Sequence, residues 1–506
     1  MKKYQNSILF SLISGCLLSY LFWKISGETF AFVFPGSFII TTFGFLLLKL
    51  IFDRTDKNGT LGLIIILGFS LRLGLGVFAD LRLPVIGYAE DTQKAGYLFK
   101  DAYNRDLQAW DMATSKTALN EFFSDGNTYD QYGGLLIIST FVYKLFSPLF
   151  HNVYLILFLA AIISAIGIPF IWAMLSKNPR VQLFATLIYA FYPDSILFSA
   201  SQMREPFILG LSAILFWLVS SSKIHQIKNI IMGFIVASLM LLISAKIGIF
   251  IIFLAFFWFC FDNYEFFKSK FSSKRIQLLT LFLLLGFCYI SFKWIIDVGK
   301  WDALLTLNNS GWIQAIFKVL PEFFHIPFLT TYGLLQPVLP AAIVEPSIPF
   351  WKTVGIFRAS GWVILSSLML YSILFVTKKK NEMRNKWIIT VTLLIFWIFL
   401  SSLRAGGDMW DNPRYRLGLL VPISIISAYG IDYAIQIKDH WLWRIFAAQG
   451  VLNLIFLQWY VSRYTNVWGK LDFPVMVMLI CLLISLIIGQ GIVYDLRLRR
   501  TIHKSN

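Results

Sequence analysis

The chain alternates long apolar runs with short polar connections. Runs of about 17 to 25 apolar residues are the length that crosses a bilayer as a helix. They fall at 7–24, 29–52, 60–80, 152–175, 181–197, 205–221, 228–244, 247–263, 276–296, 352–376, 387–403, 415–435, 441–461 and 472–494. The pattern predicts an all-α polytopic membrane protein of about fourteen transmembrane helices. Two stretches break the rhythm. Residues 81–131 are polar and acid-bearing, and 132–147 (YGGLLIISTFVYKLFS) are apolar enough to be mistaken for a crossing. A single crossing there would move every later basic loop to the other side. A re-entrant or surface-lying helix keeps those loops together, with Gly133, Gly134 and Pro148 marking its ends.

The basic residues fix the orientation. Lys2 and Lys3, Arg54 and Lys57, Lys177 and Arg180, Lys223 and Lys228, Lys268 to Arg275, Lys378 to Lys386, Lys438 and Arg444, and the tail with Arg497, Arg499, Arg500 and Lys504 all fall on one side when the N-terminus is cytoplasmic. Both termini are then expected in the cytoplasm, and the first run is read as a retained helix, with no cleavage site after it. The expected home is the plasma membrane. Five regions follow: N-terminal spans (1–80), an acid-bearing extracytoplasmic loop with surface helices (81–151), central spans (152–297), an extracytoplasmic lobe (298–351), and C-terminal spans with a basic tail (352–506).

Composition excludes the soluble alternatives. Of 506 residues, 58% are hydrophobic and only 14% charged, which no water-soluble globule tolerates. The net charge of +17 is spread over short loops and forms no single patch, so nucleic acid is not an expected partner. The four cysteines lie in or beside apolar runs without metal-site spacing.

Candidate chemistry gathers in three stretches assigned to the outer face. In KDAYNRDLQAW, a helix would put Asp101 and Arg105 four apart on one face, with Asp106 adjacent; Asp91 lies upstream. In YPDSILFSASQMREP, Arg204 and Glu205 open a helix, where an acid also complements the helix dipole without further function. In DNPRYR, Arg414 and Arg416 flank Tyr415; guanidinium groups bind phosphate oxygens bidentately, and headgroup anchoring is the plainer account. Lys246, at a short hairpin, either approaches the same phosphate or reaches headgroups. Arg72, inside the third run, must face the bundle interior or a wet cavity and find a counter-charge, as a structural pair or in binding. His151 stands isolated and is assigned no catalytic role. No HExxH, P-loop, GxSxG or CxxC is present.

The order of these stretches resembles the GT-C superfamily of membrane glycosyltransferases, in the branch of the protein mannosyltransferases and the lipid A aminoarabinose transferases. The resemblance implies a polytopic helical core, a polyprenyl-phosphate sugar as donor and a glycan, lipid or protein hydroxyl as acceptor. It implies a catalytic acid among Asp101, Asp106 and Asp91, with Glu205 as the second acid. A divalent metal is a candidate cofactor, with Asp101 and Glu205 as its candidate ligands. Arg105, Arg204, Lys246, Arg414, Tyr415 and Arg416 are the expected substrate-binding residues. DQYGGLLIISTFVYKLFS occupies the place of the family's tyrosine–proline stretch, with glycines where prolines are common. Two other readings stay open: a polysaccharide polymerase or ligase, and a non-enzymatic transporter or flippase of lipid-linked saccharides.

Overall fold

The computed structural model describes residues 5–115, 133–221, 227–264, 286, 289, 311–318, 320–378, 384–406, 408–465 and 468–505. The described residues are helical, with no strand among them. Ten helices are long and apolar enough to cross a membrane, or eleven if one bent pair is a single span. The fold class is therefore all-α and polytopic. The remaining expected runs take other forms or lie outside the described residues. Residues 181–197 form two helices bent by 47°, and 205–221 make a helix of 17 residues. The runs 228–244 and 247–263 form one 36-residue element broken at Ser244, and most of 276–296 lies outside the described residues.

The chain divides into two compact units. Unit 1 comprises Met1–Phe271 with Leu417–Ser424. Its helices are α1 (Gln5–Ser26), α2 (Phe30–Thr55), α3 (Gly59–Ile86), α4 (Asp91–Lys94), α5 (Lys100–Thr114), α6 (Gly134–Phe146), α7 (Tyr154–Met174), α8 (Pro179–Phe191), α9 (Pro193–Ser199), α10 (Glu205–Ser221) and α11 (Ile227–Asp262). On α1, Ser7, Ser11, Gly15 and Ser19 recur every four residues and are buried. Small residues let two helix backbones close up in an apolar medium. A Cβ on Gly15 would sit 2.2 Å from the Thr42 hydroxyl on α2. The nearly fully buried α7 is the centre of the unit. It is pinned at both ends: Trp172 donates to Asp56 (3.2 Å), and Tyr154 donates to Asp80 (2.5 Å). The first contact lies at the end with Lys57 and Lys177, the second at the opposite end.

Pro193 ends α8 and leaves its last carbonyls without intrahelical partners. Arg72 answers from α3: its guanidinium donates to the carbonyls of Ala190 (2.8 Å), Tyr189 (3.3 Å) and Gly68 (2.8 Å) and to the Ser195 hydroxyl (2.5 Å). The expected partner was a counter-charge; the partners found are the dipoles of a helix end. At the Ser244 break the chain turns sharply. Residues 240 and 248 would be about 12 Å apart in an unbroken helix, yet a Cβ on Gly248 would lie 3.2 Å from the Met240 carbonyl oxygen. Both ends of α6 meet the same end of the unit: Gly134 abuts the Leu242 carbonyl, beside that break, and Gly36 near the start of α2 abuts the Phe146 carbonyl.

Unit 2 comprises Ser272–Arg416 with Ile425–Asn506. Its described helices are α12 (Gly311–Phe317), α13 (His325–Leu335), α14 (Leu339–Val344), α15 (Pro349–Lys378), α16 (Arg384–Ala405), α17 (Asp411–Leu417), α18 (Leu420–Ile437), α19 (Trp441–Thr465) and α20 (Phe473–Ser505). Tyr332, Val338, Trp459, Tyr460 and Met476 share a core that ties α13 and α14 to α19 and α20. At one end Lys378 pairs with Asp439 (2.8 Å), close to the basic connections. At the other, Arg358 and Trp362 of α15 reach the carbonyls of Met409 (3.1 Å) and Leu334 (2.9 Å).

Candidate functional site

The acid-bearing segment folds back on the head of the bundle through a glycine. Gly96 has φ +82, and a Cβ there would lie 2.8 Å from the Asp80 backbone, so only glycine fits both the conformation and the space. The turn delivers Tyr97 to Asp106, and Phe99 to a flat stack on Phe198 of α9 (5.0 Å). On α5 the buried positions are Ala102, Arg105, Asp106, Ala109 and Met112, a stripe at helical spacing with two charged residues in it.

Those two residues are held differently. The Arg105 guanidinium donates to the carbonyl of Gln202 (3.0 Å), which joins the first polar segment to the turn before Glu205. Asp106 is 1% exposed. Its carboxylate accepts hydrogen bonds from Tyr97 (2.5 Å) and Tyr143, and Nε2 of His151 lies 2.8 Å from Oδ2, within ion-pair reach but off the line of a straight hydrogen bond. Burial, and after it the charge of Asp106, push the Tyr97 phenol well above its ordinary range. It is this enclosure, with two phenols and an imidazole around the carboxylate, that closes Asp106 to a substrate.

The other predicted acids lie around this core. Asp101 occupies the first turn of α5 on its exposed side, and Asp91 is exposed at the start of α4. Glu205 is buried where it opens α10, with Arg204 half-buried before it. Lys246 is exposed, two residues beyond the Ser244 break. A small cleft lies between the two segments, lined by Asp80, Tyr97, Ser201 and Gln202 with an apolar wall that includes Leu98 and Leu157. Residues 129–132, which precede α6 in the chain, lie outside the described residues.

In unit 2 the predicted arginines are engaged locally. Arg416 is 3% exposed, lies over the Trp362 ring (3.7 Å), and donates to the carbonyls of Gln336 and Leu334. Arg414 is more accessible and pairs with Asp411 (3.2 Å). Arg404 faces the hydroxyl of Tyr415 (3.5 Å), and Arg358 stacks on Trp410 (4.1 Å).

Sequence reasoning passed over His151, Tyr97, Tyr143 and Asp80 in unit 1 and Arg358 and Arg404 in unit 2. Tyr143 was findable: it belongs to the buried face Leu136, Ser139, Thr140, Tyr143 of α6. The pairing of residue 106 with 151 carries no local signal. Among the described residues no group of three or more His, Cys, Asp or Glu is arranged to hold a metal ion. No family model matches the chain, and no curated protein or solved structure matches it.

Proposed function

We propose that the chain is a membrane glycosyltransferase that moves a sugar from a polyprenyl-phosphate donor to an acceptor hydroxyl on the extracytoplasmic face of the plasma membrane, with both termini cytoplasmic. The observation that carries this reading is the bond from Arg105 to the Gln202 carbonyl. It draws the helix bearing Asp101 and the turn leading to Glu205 to one end of one unit, away from Lys57 and Lys177. On this reading α6 lies along the outer surface, in keeping with the contacts at its two ends.

The chemistry asks little of the protein. A polyprenyl phosphate is a good leaving group, so the enzyme must neutralise phosphate charge and take a proton from the acceptor. Asp101, exposed at the start of α5, is the first candidate for the base, with Asp91 behind it. Asp106 is assigned to holding the site together, because phenols and an imidazole already surround it. Glu205 with Arg204 borders the second segment, where either a substrate hydroxyl or a divalent metal would meet an acid. Within unit 2, Arg414 and Tyr415 are the groups we assign to a phosphate oxygen.

The test is transfer of labelled sugar from a synthetic polyprenyl-phosphate donor in proteoliposomes. Asp101→Asn and Glu205→Gln should each reduce transfer at least about a hundredfold, the scale of a lost general base. Full activity in both overturns the assignment. Long products on a gel would mark a polymerase or ligase. Movement of the donor across the bilayer without covalent transfer would mark a transporter.

A further inference from the structure

Three chain segments meet at Asp106. Tyr97 comes from the turn before α5, Tyr143 from α6, and His151 from the connection into α7. Trp110, one turn along α5 from Asp106, stacks on the His151 ring with centroids 5.0 Å apart and planes 15° apart. Tyr143 meets the same ring edge-on at 4.9 Å. The imidazole is thus enclosed on a face and an edge, while its side chain is 21% exposed and the Asp106 side chain is 0% exposed.

We propose that His151 is a positioning residue whose charge sets how firmly α5 is held. Protonated, it places a positive charge 2.8 Å from the buried Asp106 carboxylate and clamps α5 against α6 and the head of α7. Histidine is the side chain whose charge ordinarily changes between about pH 5 and 8, and the clamp holds only while the imidazole is charged. The titratable groups facing the imidazole are Asp106 and Tyr143; Asp106 is faced also by Tyr97, while Arg105 turns to the Gln202 carbonyl. Because α5 carries Asp101 and Arg105 and holds Tyr97 through Asp106, loosening it disorders the candidate site. The structural part stands apart from the transferase reading; the consequence for rate rests on it.

The test is hydrogen exchange of the full chain in nanodiscs, read over residues 100–114 and corrected for the intrinsic pH dependence of exchange. Between about pH 5.5 and 8, protection in the wild type should fall on the order of tenfold, as expected for losing a partly exposed ion pair of about 1.4 kcal/mol. His151→Gln should make protection independent of pH, and so should Asp106→Asn, which keeps an acceptor for the phenols. Flat protection in the wild type overturns the proposal, whatever the variants do; an undiminished slope in His151→Gln also overturns it. Sugar transfer is measured on the same samples. Loss of the exchange effect with transfer intact sinks the clamp alone, and an intact clamp in a protein that transfers no sugar sinks the transferase reading alone.

Discussion

The ends of the two units that carry the candidate residues bury charge by opposite means. In unit 1 a carboxylate is enclosed, and its partners are two phenols and an imidazole. In unit 2 guanidinium groups are enclosed, and their partners are carbonyls and aromatic faces: Arg416 on Trp362, Arg358 on Trp410. The reason is geometric as much as electrostatic. A carboxylate needs donors from several directions, which short O–H groups on three segments supply. A guanidinium is a flat fork that rests on a ring and spends its N–H groups on backbone oxygens. The acid-centred cluster therefore depends on chain segments staying assembled, and the arginine-centred one on a few rigid rings.

That contrast sets the order of expected effects. Asp106→Ala removes the common acceptor of Tyr97 and Tyr143 and strands an imidazole beside them, so it should cost about 3 to 5 kcal/mol of stability in mixed-micelle unfolding. Asp106→Asn should cost roughly half of that, since one carbonyl oxygen remains. Arg416→Lys comes next, at about 2 kcal/mol, because an ammonium neither lies flat on Trp362 nor reaches two carbonyls at once. If Arg416→Lys proved the more damaging, the distinction between a many-segment cluster and a ring-based one would fail.

Alkaline unfolding sharpens the acid-centred half. The Tyr97 phenol titrates well above its ordinary value in the fold, so the folded state binds that proton more tightly than the unfolded chain does. The stability it contributes is fully present below about pH 10, the unfolded value, and is lost as pH rises above it. Tyr97→Phe should cost about 1 kcal/mol at pH 8 and then lose less than the wild type between pH 9 and about 11. Parallel curves for the two proteins would show that Tyr97 is not the group holding its proton.

Much of the helical frame was legible in the sequence because bilayer crossing imposes length and apolarity on each segment separately. The spans at 7–24, 29–52, 60–80 and 152–175 return as α1, α2, α3 and α7. Where helices break, Pro193 was a local sign of the end of α8, but that Arg72 of α3 closes the gap was not legible. The acids of the candidate site could be located on their helices, and Asp101 and Glu205 do begin α5 and α10. What surrounds them could not. The partners of Asp106 lie nine, 37 and 45 residues away in the chain (97, 143 and 151 against 106), and only folding brings them to one carboxylate. Charges in a sequence suggest opposite charges as partners, whereas hydroxyls, carbonyls and rings also meet the buried groups here.

The smallest effect on stability is expected where the proposed chemistry is greatest. Asp101 is exposed in the first turn of α5, where its charge meets the positive end of the helix dipole. Such a contribution is about 0.3 to 1 kcal/mol and is screened by salt. Asp101→Asn should therefore shift unfolding by no more than that, with the shift shrinking as salt rises, while Asp106→Ala stays nearly as damaging in high salt. A loss above about 2 kcal/mol for Asp101→Asn would mean that this carboxylate also holds the fold together. Asp101 would then belong with Asp106 among the supports of the site, and the base would have to be sought at Asp91.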